Sequence, residues 1–309
     1  MTSLLNALPG ALSQGLIWGI MAIGLFITYK ILELSDLTVD GSFCTGGAVC
    51  AMLMVAGYNV WVALLVAMLA GMVAGWVTSF FHTKLGIPAI LSGILTQLGL
   101  WSVNLAIMGM KANQALNVNK VDLLVSMRYL TAVVKGKEPF YMYPLLTVGL
   151  FTVAIVASLY WFFGTELGAS IRATGANVNM ARAQGINTNM NKLIGLMISN
   201  GLVALSGAFI AQNQSFADVQ MGTGSIVIGL ASLIIGEVLF NSRGFYGRLF
   251  ALILGALVYR LIIAMVLKFG MNPNDLKLFT AITVAIALWL PQGKEILRTF
   301  TKSLKKEAA

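Results

Sequence analysis

The sequence predicts an all-α polytopic membrane protein with about nine transmembrane helices (eight to ten) and an inverted internal repeat. Three observations predict it. The chain of 309 residues is 58% hydrophobic and only 10% charged, with a mean hydropathy of +0.86. A soluble domain carries about 25% charged residues, so lipid must solvate much of this surface. Apolar runs of near-span length recur along the chain. Two stretches resemble each other at a nearly constant offset.

The runs lie near 11–30, 41–56, 60–81, 88–108, 141–163, 193–212, 224–240, 246–267 and 276–291. The N-terminus lacks the basic flank and cleavage site of a signal peptide, so the first run is expected to drive insertion and be retained. The second and seventh runs are short and glycine-rich. They are expected to be broken or re-entrant helices, which lipid tolerates only against protein or a wet cavity. A loop at 109–140, a polar segment at 164–192 and a basic tail at 292–309 complete a single membrane domain over 1–309. Its repeat halves cover about 11–108 and 193–291.

The formal charge of +9 suits basic loops at an anionic membrane face. No basic–aromatic groove pattern points to nucleic acid. With 164–192 in the cytoplasm, that side holds Lys30, Lys84, Arg172, Arg182, Lys192, Arg243, Arg248, Lys294, Arg298, Lys302, Lys305 and Lys306, twelve of the 20 basic residues. Seven fall outside, five of them in the loop 109–140, and Arg260 falls inside a span. The bias favours a cytoplasmic C-terminus. Cys44 and Cys50 share one apolar run at a spacing that does not stack them on a helix face, so neither a disulfide nor a metal site is expected. His82, the single histidine, reads as a solvated span end.

The repeat aligns Asp36 with Asp218, Gly41-Ser42 with Gly224-Ser225, and Leu85–Pro88 with Phe269–Pro273. Five spans separate the copies, which inverts them. Inverted repeats mark transporters, with the path at the repeat interface.

The segment 164–192 is more elaborate than a connection requires. Asn177 to Gln184 reads as a helix of about two turns, capped by Thr174 or Asn177, with Gly185 just past its end. So short a helix needs a partner to hold it. Val178, Met180 and Ala181 give it a small apolar face, with the charge of Arg182 alongside. Gly168, Gly175 and Gly185 are expected to turn the chain sharply.

The run Glu166–Asn187 resembles the cytoplasmic coupling segment of ABC-importer permeases of the branched-chain amino acid and ribose group. Leu167, Gly168, Arg172, Ala173, Asn177, Ala181, Gly185 and Ile186 occupy the places of that pattern, and Met180 departs from its usual small residue. Asp36–Ser42 is similar to a second element of the group with one residue inserted. Asn200–Gln214 is similar to the span that follows the segment. The resemblance covers roughly 12–291, and it is nearest to permeases of the tryptophan/tyrosine type.

The resemblance implies a type II ABC importer-like fold and a membrane-spanning subunit that moves a small solute, an amino acid before a sugar or nucleoside, across the cell membrane. It implies an ATP-binding subunit below, a second permease copy beside it and an extracytoplasmic substrate-binding protein above. Glu166, Leu167, Gly168, Arg172, Gly175, Asn177, Met180, Ala181, Arg182, Gly185 and Ile186 would carry coupling to the ATPase. No phosphate loop is present: Pro291-Gln-Gly-Lys294 continues with Glu295 and lacks the first glycine. ATP and Mg are therefore expected on the partner, with no cofactor or metal on this chain. A secondary transporter or channel also uses inverted repeats but has no need of a docking helix. No serine–histidine–acid set or carboxylate pair supports an enzyme.

Intramembrane polar residues are costly and tend to face the interior or a wet path. Asp36, Asp40, Gln97, Asn104, Asn200, Asp218 and Glu237 are candidates for the path. Helix packing competes at Gln97, Asn104 and Asn200, and helix capping at the three aspartates. Glu237 suits gating or reaching for the interface equally. Arg260 has no evident partner. The loop 109–140 fits either a surface for the binding protein or a solvated connection.

Overall fold

The computed structural model describes residues 2–117, 123–126, 144–240, 244–268, 278–285 and 289. The chain opens with α1 (Thr2–Phe26), which passes into a π-helical turn, Ile27–Ile31. There follow α2 (Thr38–Val55), α3 (Val60–Thr83), α4 (Ala89–Ile107), the strand β1 (Asn113–Ala115) and α5 (Pro144–Gly164). Two short helices come next, α6 (Glu166–Ala176) and α7 (Val178–Ala183). The chain continues with α8 (Thr188–Gln214), β2 (Phe216–Asp218), α9 (Ser225–Phe240) and α10 (Phe245–Lys268).

Among the described residues, seven helices are long and apolar enough to cross a membrane. Helices occupy eight of the nine apolar runs. Of the ninth, residues 278–285 are helical and most of the rest lies outside the described residues. The second run is one unbroken helix of 18 residues, so its glycines do not break it. The seventh is α9, of 16 residues, about 24 Å at 1.5 Å per residue. It ends at Phe240, and residues 241–243 lie outside the described residues. The small ribbon of β1 and β2 was not expected. Its antiparallel register pairs Asn113 with Asp218 and Ala115 with Phe216.

Helix α8 is the spine. It is buried along most of its length from Gly195 to Asn213 and packs on α1, α2 and α3. Helix α10 lies against α1 and α9. In lipid, apolar burial does not drive helices together, so close backbone approach must do more. Gly46 faces the Ala204 carbonyl and Gly207 faces the Phe43 carbonyl, so a Cβ at either would overlap the opposite helix. Conversely, α3, α4 and α5 turn Leu65, Leu69, Val73, Leu95, Leu98, Leu150 and Val153 outward. Those faces suit hydrocarbon. Both cysteines are free and buried.

Candidate functional site

The segment after α5 is held by side-chain caps, because two short helices leave many orphan backbone groups. Thr165 caps α6, accepting from Gly168 N at 3.3 Å. Asn177 ends α6 in an extended conformation and caps α7, accepting from Asn179 N and Met180 N, each at 3.0 Å. Of the two expected caps, Asn177 serves and Thr174 does not. The Thr174 hydroxyl instead donates to Ser170 O at 2.8 Å. Helix α7 closes on Gly185 at φ +79°. There, Ile186 N donates to Ala181 O at 3.0 Å and Gly185 N to Arg182 O at 2.9 Å, the paired bonds of a Schellman ending. Asn187 then caps α8, accepting from Met190 N at 3.1 Å.

Two glycine expectations are corrected. Gly168 and Gly175 lie inside α6 and make no turn. They are packing residues: Gly168 sits on the backbone of Phe162 and Phe163, and Gly175 on the Ile31 carbonyl at the end of the π-helical turn. A side chain at 175 has no room. The C-terminal end of α6 thus rests directly on the end of the first span. Asn191 of α8 holds the other side, donating to Ser170 Oγ at 2.7 Å and Thr174 Oγ1 at 2.8 Å. Arg182 Nε donates to Thr188 Oγ1 at 3.0 Å. Ser170, Asn187, Thr188 and Asn191 were not singled out from sequence. Only the Asn-before-helix pattern at 187 signalled any of them.

What this frame exposes is mixed. Leu167, Met180 and Met190 are about half exposed, and Glu166, Arg172 and Arg182 are exposed. Ala181 is buried and Val178 and Ile186 are half-buried, so the apolar face of α7 divides between core and surface. The surface combines adaptable thioether side chains with both signs of charge.

The candidate path residues separate into distinct settings. Asn200 of α8 accepts from Ser42 Oγ at 2.6 Å and donates to Asp36 at 2.7 Å. Asp36 also accepts from Thr38 N at 2.9 Å, capping the start of α2. A hydroxyl chain runs on from Thr38 to Thr78 at 2.7 Å and from Thr78 to Thr96 at 2.9 Å. It ends on the Ser92 carbonyl. The network is buried and ties α2, α3, α4 and α8 together. Asn104 donates to Gly41 O at 3.4 Å, and half-buried Gln97 packs its backbone beside Gly41.

Asp40 stands apart from that network. It accepts from Gly224 N, Ser225 Oγ and Ile226 N at 3.0, 2.8 and 2.9 Å, so one copy of the repeat caps the helix of the other. The Asp218 carboxylate closes its own turn, accepting from Gln220 N. Glu237 pairs with Lys30 of the π-helical turn at 3.1 Å.

Three further expectations change. Arg260 does have a partner, with its guanidinium 5.0 Å from the centre of the Trp18 ring. His82 is not simply solvated: its Nδ1 lies 2.9 Å from Ile87 O and its Nε2 lies 3.1 Å from Lys192 Nζ. A carbonyl can only accept, so Nδ1 carries the proton. The described start of the loop 109–140 is seated on the protein. Leu124 N donates to Gln212 Oε1 at 3.1 Å, Asn213 Nδ2 donates to Val125 O at 3.4 Å, and Leu123 and Val125 are buried. Residues 127–140 lie outside the described residues. No group of three metal-ligating side chains occurs among the described residues.

Residues 8–288 match the family described as the branched-chain amino acid transport system permease component. The chain belongs to that family. This permease is 39% identical over 280 residues to a tyrosine transport system permease protein of Clostridioides difficile (strain R20291), covering 91% of this chain and 90% of that one. An uncharacterized protein of Rickettsia prowazekii (strain Madrid E) is 34% identical over 288 residues, covering 92% and 97%. An autoinducer 2 import system permease protein of Salmonella paratyphi B is 27% identical over 224 residues, covering 71% of this chain and 60% of that one. The permease is a multi-pass membrane protein and a transport subunit, as the resemblance of residues 166–187 implied.

Proposed function

We propose that the permease imports an amino acid, with aromatic amino acids the first candidates, and that a separate ATP-binding subunit drives it by seating on α6, α7 and the Gly185 turn. The observation that carries the docking assignment is the build of that segment. Thr165 caps α6, Asn177 and Gly185 close the two ends of α7, and Asn191 and Thr188 of α8 tie α6 and α7 to that helix. Meanwhile Leu167, Met180 and Arg182 stay outward. The name of the 39%-identical relative supports an aromatic amino acid as cargo.

In this reading ATP and Mg are bound by the partner, whose closure pushes on α6. The contact of Gly175 with Ile31 passes the push to the first span. A second permease copy completes the membrane unit, and a binding protein delivers solute on the far side. Positive charge keeps the segment and the C-terminus in the cytoplasm, in the cell membrane. ATP must favour one permease state over the other for transport to follow.

The test is co-purification and uptake. Replacing Met180 and Arg182 together with Asp should abolish capture of the ATPase and cut ATP-driven tyrosine or tryptophan uptake at least tenfold, with the permease still folded. Unchanged capture would sink the docking assignment. Normal ATP-driven uptake of leucine or ribose with no aromatic uptake would sink the cargo.

A further inference from the structure

Two adjoining cavities flank α6 beside the ends of α1, α5 and α9 and the start of α10. The larger, of about 660 Å³, is lined by Lys30, Glu33, Arg172, Glu237 and Arg248, with Phe26 and Phe245. The smaller, of about 460 Å³, is lined by Tyr160, Trp161, Phe163 and Thr165, and it shares Arg172 and Phe245 with the first. One chamber is polar and charged. The other is aromatic and lies where α5 leaves the hydrocarbon.

The charges of the first chamber do not cancel. Lys30 and Glu237 neutralise each other at 3.1 Å. Arg172 and Arg248 have no ion-pair partner among the described residues, and they face the single remaining carboxylate, Glu33. In the second chamber Tyr160 and Trp161 are 56% and 73% exposed, and Tyr246 beside them is 54% exposed. Tyr160 and Tyr246 meet edge to face at 5.8 Å. Amphipathic rings in that position mark the membrane–water boundary. The basic tail 292–309 would be repelled by the two arginines, so it is no natural occupant.

We propose that this double cavity is a binding site for an anionic phospholipid. Its phosphate is held between Arg172 and Arg248, and its glycerol and upper acyl chain lie against Tyr160, Trp161 and Phe245. Basic pockets between transmembrane helices hold anionic headgroups for the same reason: the guanidinium fork matches phosphate oxygens, and the neighbouring rings accept the apolar part. The site is independent of the cargo, and because it shares Arg172 of α6 with the proposed ATPase seat, it is tested on the permease alone.

The experiment uses the full chain in nanodiscs and native mass spectrometry of the lipid it retains. Phosphatidylglycerol should be retained over phosphatidylcholine. Arg248→Gln should lower that retention about fivefold, the worth of one basic residue at an anionic surface, and Trp161→Ala should lower it as well. Arg248→Lys, which keeps the charge but not the fork, should fall between the wild type and Arg248→Gln, and Lys84→Gln, a cation outside the cavities, should change nothing. If Arg248→Gln fails to fold, Trp161→Ala and Arg248→Lys decide the question. Equal retention of the two lipids, or loss in none of the cavity variants, would overturn the proposal. So would stabilisation by inorganic phosphate that matches that of phosphatidylglycerol, since the site would then take a soluble anion.

Discussion

The α2–α8 interface and the α6–α7 segment both rest on polar groups and glycines, yet they use them in opposite ways. Between α2 and α8 the glycines remove side chains so that backbones touch, and the amide of Asn200 is spent inward on Ser42 and Asp36. Around α6–α7 the amides of Asn177 and Asn187 are spent on the starts of α7 and α8, and Leu167, Met180 and Arg182 stay exposed. A membrane core satisfies its polar atoms between elements. The short segment satisfies its helix ends locally and borrows Asn191 and Thr188 from α8.

Variants can break that contrast, beginning with the largest effect. Gly46→Leu pushes a branched side chain into the Ala204 carbonyl. Overpacking costs about 1–3 kcal/mol even where side chains can yield, and a helix backbone yields less. Size-exclusion of the solubilised protein should show aggregate in place of a single peak. Next, Asn200→Leu strands the buried Asp36 carboxyl and the Ser42 hydroxyl at about 3 kcal/mol, lowering the melting temperature. Adding Asp36→Leu should recover part of that loss, because the pair is coupled. A double variant as unstable as the sum of the singles would show that the network is not one unit.

Smaller still, Asn177→Ala removes the α7 cap at about 1 kcal/mol. It should leave the main unfolding transition unmoved while hydrogen exchange at Asn179 and Met180 rises several-fold. Lys30→Gln should come last. Its ion pair with Glu237 is part exposed and worth less than about 1 kcal/mol, so thermal stability should hardly change.

The spans were legible because apolar runs of span length have one physical reading in this composition. The cap at Asn177 and the ending at Gly185 were legible because both act on their own neighbours in sequence. Helix α6 was not. Gly168 and Gly175 look like turn residues, and what demands them is the backbone of Phe163 and Ile31, a contact no local pattern displays. The link between Asp36 and Asn200 crosses 164 residues and carries no periodic signal. The repeat sits between these cases. Gly41-Ser42 and Gly224-Ser225 could be aligned by eye, but their roles differ: the first pair lies inside α2, while Gly224 takes φ +81° and Ser225 starts α9.

The bond from Asp40 to the start of α9 also bears on how the protein is made. Without Asp40 the N–H groups of Gly224 and Ile226 lose their side-chain acceptor, so the earlier half completes the start of α9. Synthesis runs from the N-terminus, and the acceptor is therefore in the membrane long before its donors leave the ribosome. If the halves were produced as two polypeptides, the start of α9 would lack its Asp40 acceptor until the first half arrived.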